Sequence, residues 1–264
     1  MLNILQEIFA YLRPWIPHLV IGIAIHLLFL KKFYNNHIQP KFFSWFYPFL
    51  ANYHVTCREI KRKHFESMKD HKSVDPELRK KGGLRILEIG PGPGYNFEFY
   101  PPNSELTAVE VNPFFEEQFF KQQVDHPHIK MNRFVVGFAE KMKDVPDNSV
   151  DIVVSTMVLC SVRSIEEALK EIHRILAPGG KYYFWEHVLD SEDFWARLGQ
   201  NLASYLYYDI IFGCQLNRKS GDIVKANKAG FSKIEHERFR TPPEKGYEYL
   251  SYFHSAHAKG IATK

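Results

Sequence analysis

A glycine-rich turn directly after a short apolar run limits the folds open to this chain. Residues 84–89 are apolar enough to form a buried strand, and Gly90-Pro91-Gly92-Pro93-Gly94 follows them at once. Glycines permit a tight turn and let the backbone approach a ligand closely, so the pattern predicts a strand that ends at a binding site. By itself the pattern fits a phosphate, a nucleoside or a plain sharp corner.

Strand-like and helix-like segments alternate from residue 84 to residue 188. The strand-like runs are residues 84–89, 105–111, 133–138, 149–159 and 181–188. The helical patterns are residues 113–124 and residues 164–180, the second of which opens on a Ser N-cap and closes at Pro178-Gly179-Gly180. This order predicts an α/β fold with a mostly parallel sheet, and such a sheet binds its ligand outside the carboxyl ends of its strands.

The spacing of glycines and acids indicates which nucleotide-like ligand binds there. The Gly-x-Gly-x-Gly turn differs from the G-x-G-x-x-G dinucleotide fingerprint, and it lacks the Gly-Lys-Ser/Thr of a P-loop. Glu110 falls twenty positions after Gly90, where an acid accepts hydrogen bonds from ribose hydroxyls. Glu88, just before the turn, is placed to meet a positively charged amino group. A ribose and a cation without a pyrophosphate describe S-adenosylmethionine.

The predicted cofactor site draws on several strand ends. Because Pro91 and Pro93 lack amide donors, hydrogen bonds from the turn must come from Gly92, Gly94 and Tyr95. Residues 137–140 end the third strand, where backbone and a carboxyl group would frame an adenine edge. The full prediction comprises Glu88, Gly90, Pro91, Gly92, Gly94, Tyr95, Glu110, Val111, Asn112, Ala139, Glu140, Thr156, Met157 and Val158.

Four strings resemble, in order and spacing, the class I S-adenosylmethionine-dependent methyltransferases: LEIGPGPGYNFEFYPP, VEVNPFFE, VDIVVSTMVLCSV and RILAPGGKYYFWEHV. Within that class, residues 52–263 resemble the membrane-associated methyltransferase-like 7 proteins, known as alkyl thiol methyltransferases, most specifically in NFEFYPP, LCSV and FWEHV. The resemblance implies a Rossmann-like fold with a seven-stranded sheet, methyl transfer to small lipophilic thiols, and attachment to the endoplasmic reticulum or lipid droplets, facing the cytosol. The chain departs from the family's usual G-C-G-T-G turn at Pro91 and Pro93, and the ribose acid, often Asp, is Glu110.

The candidate catalytic residue is His187, at the carboxyl end of the fifth predicted strand. Methyl transfer is an in-line displacement, which proximity and orientation accelerate most. A free thiol has a pKa of about 8.5, so a nearby base would help to form the nucleophilic thiolate. His187 is placed for that role, although a positioning role, or a reaction without a dedicated base, fits the sequence equally well. Glu186 should point to the opposite side of the strand.

The cysteines and the net charge exclude several classes of site. Cys57, Cys160 and Cys214 lie far apart without CxxC spacing, which predicts a reducing compartment and neither a zinc site nor a disulfide framework. Cys160 is interpreted as a small buried hydrophobe. The formal net charge of +4 comes without a polybasic block, so no nucleic-acid partner is expected.

Residues 1–50 are predicted to form a hydrophobic membrane anchor. The segment WIPHLVIGIAIHLLFL carries no formally charged side chain, and FFSWFYPFL adds the Trp and Tyr typical of a membrane interface. About sixteen apolar residues fall short of the roughly 20 that a full span needs, so the anchor would insert into the bilayer or barely span it. A buried N-terminal helix is the alternative. A cleavable signal peptide is disfavoured because no small-residue cleavage site follows.

The rest of the chain is predicted to form two further parts. Residues 51–83 would form an amphipathic linker helix with its basic face toward lipid head groups, and residues 84–264 the methyltransferase domain. Residues 194–216, rich in aromatic and aliphatic side chains, would form core, a lid over the substrate or a second membrane contact.

The predicted function is methylation of a small lipophilic acceptor, an alkyl thiol in the first place, by a membrane-bound enzyme. The alternatives are O- or C-methylation of a lipid or quinone-like acceptor, and a non-catalytic, membrane-tethered scaffold that binds the cofactor. The glycine spacing disfavours an NAD-linked oxidoreductase. The sequence leaves the oligomeric state open.

Overall fold

The computed structural model describes residues 16–206, 213–243 and 248–264. The chain divides into two compact units, Met1–Phe42 and Phe43–Lys264. In the first unit, helix α1 covers Ile16–Phe33 and a π-helical turn covers Tyr34–Ile38. Helix α2, Gln39–Phe46, begins in the first unit and ends in the second.

Helix α1 exposes large apolar side chains in all directions. Leu27, Leu28, Phe29 and Leu30 follow one another around a full helical turn, and each is between 47% and 66% exposed. Among the described residues, no helix combines the length and the hydropathy that crossing a bilayer requires. Residues 1–15 of the predicted anchor lie outside the described part of the chain, and the anchor stays a prediction.

The second unit contains the remaining helices and all strands of the described residues. Its helices are α3 (Ala51–Thr56), α4 (Arg58–Phe65), α5 (Pro76–Lys81), α6 (Glu116–Val124), α7 (Ile165–Ile175), α8 (Phe194–Leu206), α9 (Ser220–Lys225) and α10 (Glu248–His254). Its strands are β1 (Arg85–Ile89), β2 (Ser104–Glu110), β3 (Ile129–Val136), β4 (Val150–Thr156), β5 (Leu176–His187), β6 (Lys233–Arg240) and β7 (Ala256–Thr263). Short 3₁₀ turns cover Tyr47–Leu50, Glu66–Asp70, Phe97–Phe99 and Pro113–Phe115.

The strands form one seven-stranded sheet in the order β3-β2-β1-β4-β5-β7-β6. Strands β1 to β5 pair in parallel, whereas β7 runs antiparallel to both β5 and β6. The order reverses between β1 and β4, which creates the crevice where open α/β sheets bind ligands. The predicted Rossmann-like, seven-stranded α/β fold is confirmed.

Two apolar layers cover the central strands. Helix α7 buries Ile165, Ala168, Leu169, Ile172 and Ile175, the spacing of one helix face, against one side of the sheet. Alternate residues of β5 reach opposite layers, because successive side chains of a strand point to opposite faces. The buried central strands therefore read as nearly continuous apolar runs in the sequence.

The helical pattern of residues 164–180 ends earlier than predicted. The Ser164 hydroxyl accepts a hydrogen bond from the Glu167 amide at 3.2 Å, as expected of an N-cap. The helix stops at Ile175, and Leu176 is already extended. Pro178 and Gly179 fall within β5, so the helix ends before the predicted Pro-Gly-Gly stop.

Residues 51–83 differ from the predicted single linker helix. The helix is interrupted at Cys57, and α4 buries Lys61, His64 and Phe65. Phe65 and Met68 pack in the apolar layer on one face of the sheet, and burial of their side chains there stabilises the second unit. One face of the segment is therefore part of the core of the second unit.

Candidate cofactor and acceptor site

The glycine turn follows β1 and packs against the connection after β4. Gly90, Gly92 and Gly94 have φ values of +60°, +53° and +90°. A Cβ atom on Gly90 would lie 2.6 Å from Cγ2 of Val158, and one on Gly94 would lie 2.5 Å from the Phe97 ring. Both positions therefore need glycine, for their backbone angles and for the close approach.

Glu110 closes this turn from the end of β2. Its Oε2 accepts a hydrogen bond from the Gly92 amide at 3.0 Å, and its Oε1 accepts one from the Asn112 amide at 2.9 Å. The Gly94 amide donates to the carbonyl of Pro91, which is buried, at 2.9 Å. An ionised carboxylate offers about four acceptor positions, so Glu110 retains capacity for ribose hydroxyls. Burial raises the pKa of this carboxyl.

Glu88 lies buried in β1 beside the turn. Its Oε1 accepts a hydrogen bond from Asn96 Nδ2 at 2.7 Å, whereas its Oε2 makes no hydrogen bond of good geometry with a described residue, with the Tyr100 hydroxyl near the same carboxyl. Asn96 Nδ2 also donates to Thr156 Oγ1 at 3.0 Å. Burial raises the pKa of Glu88 to about 7. A buried carboxylate oxygen without a partner is costly, so this orphaned atom fits the amino group of S-adenosylmethionine.

Lys61 of α4 belongs to the same buried network. Its side chain is 1% exposed, and its Nζ lies 3.0 Å from Asn96 Oδ1 and 3.0 Å from His54 Nδ1. Burial lowers the pKa of Lys61 to about 8, although the charge of Glu88 opposes that change. An ammonium group has three donors, so one remains for the carboxylate of the cofactor's methionine. Glu88 and Lys61 together could hold both charged groups of that amino acid.

Sequence reasoning missed Lys61 because it assigned the basic residues of this segment to a lipid-facing surface. The signal was nevertheless present. Cys57, Lys61, Phe65 and Met68 recur at helical spacing, which places a charged residue on an otherwise apolar face. A lysine on such a face needs a buried partner.

An aromatic cluster covers the glycine turn. Tyr47 stacks on Tyr95 with ring centroids 6.0 Å apart and meets Phe115 edge-on at 5.6 Å. Its hydroxyl lies 3.2 Å from His54 Nε2, and its Cε1 lies 3.6 Å from the Cβ position of Gly92. Burial raises the pKa of Tyr47. The stretch predicted as an interfacial belt thus places at least this residue against the predicted cofactor site.

Two exposed apolar side chains flank the ends of β2 and β3. Val111 and Phe138 are both exposed, and the Gly137 amide donates to the Glu110 carbonyl at 2.9 Å, which holds the two strand ends together. The Arg163 guanidinium lies 4.5 Å from the Phe138 ring centroid. Phe138 was not among the predicted residues, although it immediately precedes two that were. These surfaces suit a flat heterocycle such as adenine.

Three other residues predicted to bind the cofactor lie in different settings. Ala139 is buried in the apolar layer. The Glu140 carboxylate accepts hydrogen bonds from the amides of Arg163 at 2.6 Å and Ser164 at 3.2 Å, so it serves the start of α7. Asn112 Oδ1 accepts from the Phe114 amide at 3.1 Å and caps a 3₁₀ turn.

Glu186 shapes the connection after β4. Its Oε2 accepts hydrogen bonds from the amides of Val158 and Leu159, both at 2.9 Å, and its Oε1 accepts one from the Ser155 hydroxyl at 2.7 Å. Burial raises the pKa of Glu186 well above its ordinary value. Met157, between Thr156 and these amides, has a φ of +58°, a conformation that L-residues adopt at a cost. Glu186 therefore helps to hold a strained turn at the carboxyl edge of the sheet.

His187 lies among other histidines and a cysteine at the end of β5. Its Nδ1 lies 3.8 Å from Cys214 Sγ, and its ring lies 4.6 Å from the His257 ring and 5.9 Å from the His254 ring. Burial and these two histidines lower the pKa of His187 well below its ordinary value. A neutral, weakly basic imidazole is a poor proton acceptor for a thiol, so its role as general base stays a prediction.

Two cysteines that the sequence left unpaired lie beside this histidine. The potential ligand atoms of Cys160, His187 and Cys214 all lie within 4.8 Å of one another, and all three residues are buried. Cys160 was predicted to be a small buried hydrophobe, and it is indeed buried among apolar neighbours. Its contact with Cys214 depends on the fold and has no signal in the spacing of the cysteines.

Comparisons with known proteins agree with this geometry. The family described as "Methyltransferase domain" matches residues 87–184. Thiol S-methyltransferase TMT1B of Rattus norvegicus is 35% identical over 86% of this chain and 89% of its own length. Thiol S-methyltransferase TMT1A of Homo sapiens is 36% identical over 75% of this chain and 80% of its own. A SAM-dependent methyltransferase structure from Thermotoga maritima is 22% identical, with a TM-score of 0.54 over 84% of this chain and 98% of that one, and it supports the fold alone.

Proposed function

Because this chain belongs to the methyltransferase-like 7 family of class I S-adenosylmethionine-dependent methyltransferases, we propose that it methylates the sulfur of small lipophilic thiols. That it is a methyltransferase using S-adenosylmethionine follows from its family and its domain. The thiol acceptor rests on one observation. Relatives named thiol S-methyltransferases align with three quarters or more of the chain.

The residues of the site divide the work of binding. Glu88 and Lys61 hold the charged groups of the cofactor's amino acid, Glu110 holds the ribose, and the apolar surfaces of Val111 and Phe138 flank the adenine. When bound, the cofactor supplies an electrophilic methyl group on a positively charged sulfur. The protein then contributes mainly proximity and orientation, which are the largest effects available to an in-line displacement.

An apolar surface beside the site supports a lipophilic acceptor. Phe194, Trp195, Leu198 and Leu202 of α8 are between 41% and 69% exposed. At 3.6 residues per turn these four positions fall within an arc of about 100°. An exposed apolar stripe of this kind marks a membrane or ligand contact. Helix α8 begins shortly after the carboxyl end of β5. Acceptors dissolved in the lipid would therefore enter next to the carboxyl edge of the sheet, where the cofactor site lies.

We extend the proposal to the location of the enzyme. The exposed apolar residues of α1 and the stripe on α8 support peripheral attachment to a bilayer. The family resemblance supports the cytosolic face of the endoplasmic reticulum or of lipid droplets. Residues 194–216 were predicted to form core, a lid or a membrane contact, and the exposed α8 stripe favours the membrane contact over the core. Residues 207–212 of this segment lie outside the described part of the chain.

An acceptor screen tests the proposal. Purified full-length protein, given S-adenosylmethionine with a labelled methyl group, should convert alkanethiols to methyl thioethers and leave alkanols of the same chain length unchanged. The rate should rise with pH until the thiol is fully ionised, because the thiolate is the nucleophile.

Three results would redirect the assignment. Methylation of phenols or quinols without any thiol product would replace the thiol assignment with O- or C-methylation. Cofactor binding without turnover on any acceptor would favour a scaffold. An equal rate for thiols and alkanols would contradict selection by sulfur.

A further inference from the structure

We propose that Cys160, His187 and Cys214 form a binding site for Zn²⁺ with one coordination position left open for the sulfur of the acceptor. The metal site itself is independent of the proposed function, whereas its role toward the acceptor rests on that function. Two thiolates and one imidazole bind Zn²⁺ in preference to harder cations such as Mg²⁺.

The distances are close to those of a zinc site. Cys214 Sγ lies 3.8 Å from His187 Nδ1, and all three ligand atoms lie within 4.8 Å of one another. Tetrahedral zinc, with Zn–S of about 2.3 Å and Zn–N of about 2.0–2.1 Å, sets S···S near ~3.7 Å and S···N near ~3.5 Å. The cluster must therefore contract by about 1.3 Å at most, which small side-chain rotations can supply.

The backbone around the cluster is held in place by hydrogen bonds. The Gln215 amide donates to the Cys160 carbonyl at 3.0 Å, which fastens the loop of Cys214 to the turn of Cys160. Arg218 Nη1 donates to the Leu159 carbonyl at 3.0 Å. The Leu189 amide donates to the Arg218 carbonyl at 2.8 Å, which adds the end of β5. These contacts bring together three separate segments, and such preorganisation is what a metal site needs.

Charge and burial agree with a divalent ion. The cluster is buried, and a buried charge must be compensated. Two thiolates cancel the two positive charges of Zn²⁺, whereas the neutral imidazole of His187 adds none. Binding would therefore leave a buried group without net charge.

Catalytic zinc sites typically have three protein ligands and leave the fourth coordination position open. His187 ends β5 and Cys160 follows β4, so the cluster lies at the carboxyl edge of the sheet, where Thr156 and Glu88 also lie. An acceptor thiol that occupies the fourth position loses its proton to solvent, because zinc lowers the pKa of a coordinated thiol.

The reaction then balances without a protein base. The acceptor sulfur uses a lone pair to form its bond to the methyl carbon, and the bond from that carbon to the sulfonium breaks, with its electron pair remaining on the cofactor's sulfur. The products are a methyl thioether, a neutral thioether form of the cofactor and the proton released earlier. Zinc rather than imidazole then generates the thiolate, so the step needs no general base.

Cobalt substitution tests the metal site directly. Reduced full-length protein titrated with Co²⁺ should bind one ion per chain and develop thiolate-to-cobalt charge-transfer absorption together with the visible bands of tetrahedral cobalt. Cys160→Ser and Cys214→Ser should lose most of this absorption. Cys57→Ser, which changes a buried cysteine packed against Trp185 outside the cluster, should retain it.

Alkylation of the cysteines in the wild-type protein tests the site even if the cysteine variants fail to fold. In the wild-type protein, Zn²⁺ should slow alkylation of Cys160 and Cys214 at least tenfold and leave the rate at Cys57 unchanged. Equal protection at all three cysteines, the absence of stoichiometric metal, or a Cys160–Cys214 disulfide that forms despite added Zn²⁺ would overturn the site.

Activity separates the two parts of the inference. Thiol methylation should fall at least tenfold after metal removal and return with added Zn²⁺, while binding of S-adenosylhomocysteine stays unchanged. Equal activity with and without metal would overturn the role toward the acceptor. A cobalt spectrum as described, in protein that methylates no thiol, would support the metal site and contradict the proposed function.

Discussion

Lowering the pH from about 7.5 to about 6 should weaken cofactor binding about eightfold, because Glu88 must be ionised to receive the cofactor's amino group. Burial places the pKa of Glu88 at about 7. The carboxyl is then protonated in about nine tenths of molecules near pH 6 and in about one quarter near pH 7.5. The ratio of the ionised fractions corresponds to about 1.3 kcal/mol of binding free energy.

The sign follows from the direction of the pKa change. A positively charged partner favours the ionised carboxyl, so binding lowers the pKa of Glu88 and releases a proton. Release from Glu88 should approach about 0.9 proton per cofactor near pH 6. Near pH 7.5 it falls to about 0.2, and uptake of about 0.2 proton by Lys61 as it meets the cofactor's carboxylate should bring the net release close to zero. Lys61, whose pKa is about 8, stays mostly charged across this range.

Calorimetry measures both quantities. Titrations with S-adenosylhomocysteine, which has the same amino acid group and no methyl to transfer, give Kd at each pH. Buffers of different ionisation enthalpy then give the number of protons released. Glu88→Gln keeps the shape of the side chain and removes its titration, so its Kd should be higher and nearly independent of pH in this range.

A second variant controls for general effects of charge. Glu77→Gln alters a carboxylate that pairs with Lys80 at the surface, so it should keep the pH dependence of the wild-type protein. Equal pH dependence in wild type and Glu88→Gln, or binding without proton release near pH 6, would refute the assignment of Glu88 to the amino group.

Three further substitutions test other parts of the structure. Glu110→Ala should weaken S-adenosylhomocysteine binding by about 1.5–3 kcal/mol, the range for hydrogen bonds to a charged group, whereas Glu105→Ala on the same strand should not, and an unchanged Kd in folded Glu110→Ala would remove this acid from the site. Glu186→Leu should lower the free energy of unfolding in urea by about 2–4 kcal/mol because the buried Leu159 amide and the half-buried Val158 amide lose their acceptor. Glu186→Gln keeps a carbonyl oxygen that can accept from both amides and should cost less than about 1 kcal/mol, so equal losses would contradict this reasoning. Trp195→Ser should reduce flotation of the protein with lipid vesicles, whereas Val124→Ser, an exposed apolar residue on α6, should leave it unchanged, and equal flotation of both would argue against the α8 stripe as a membrane contact.

The sequence by itself determined the fold class, the cofactor and the local features around which the candidate site is built. The turn after β1, the acid at the end of β2 and the helix face of α7 are encoded within short segments, because glycine conformation, strand periodicity and helix periodicity depend on near neighbours. Glu110 was predictable since the short connection from β1 to β2 fixes its distance from Gly90. Glu88 was predictable in position, but its orphaned oxygen and raised pKa depend on burial by distant residues.

The tertiary structure alone decided which distant polar residues meet. Lys61 reaches Asn96 across 35 positions, and Cys214 reaches His187 across 27. Glu140, which the sequence predicted as a cofactor residue, also accepts hydrogen bonds at the start of α7 that the sequence did not reveal. Contacts of this kind depend on the order of the strands and on which helix covers which face of the sheet. Packing of the whole core determines both, and local sequence patterns do not encode that packing.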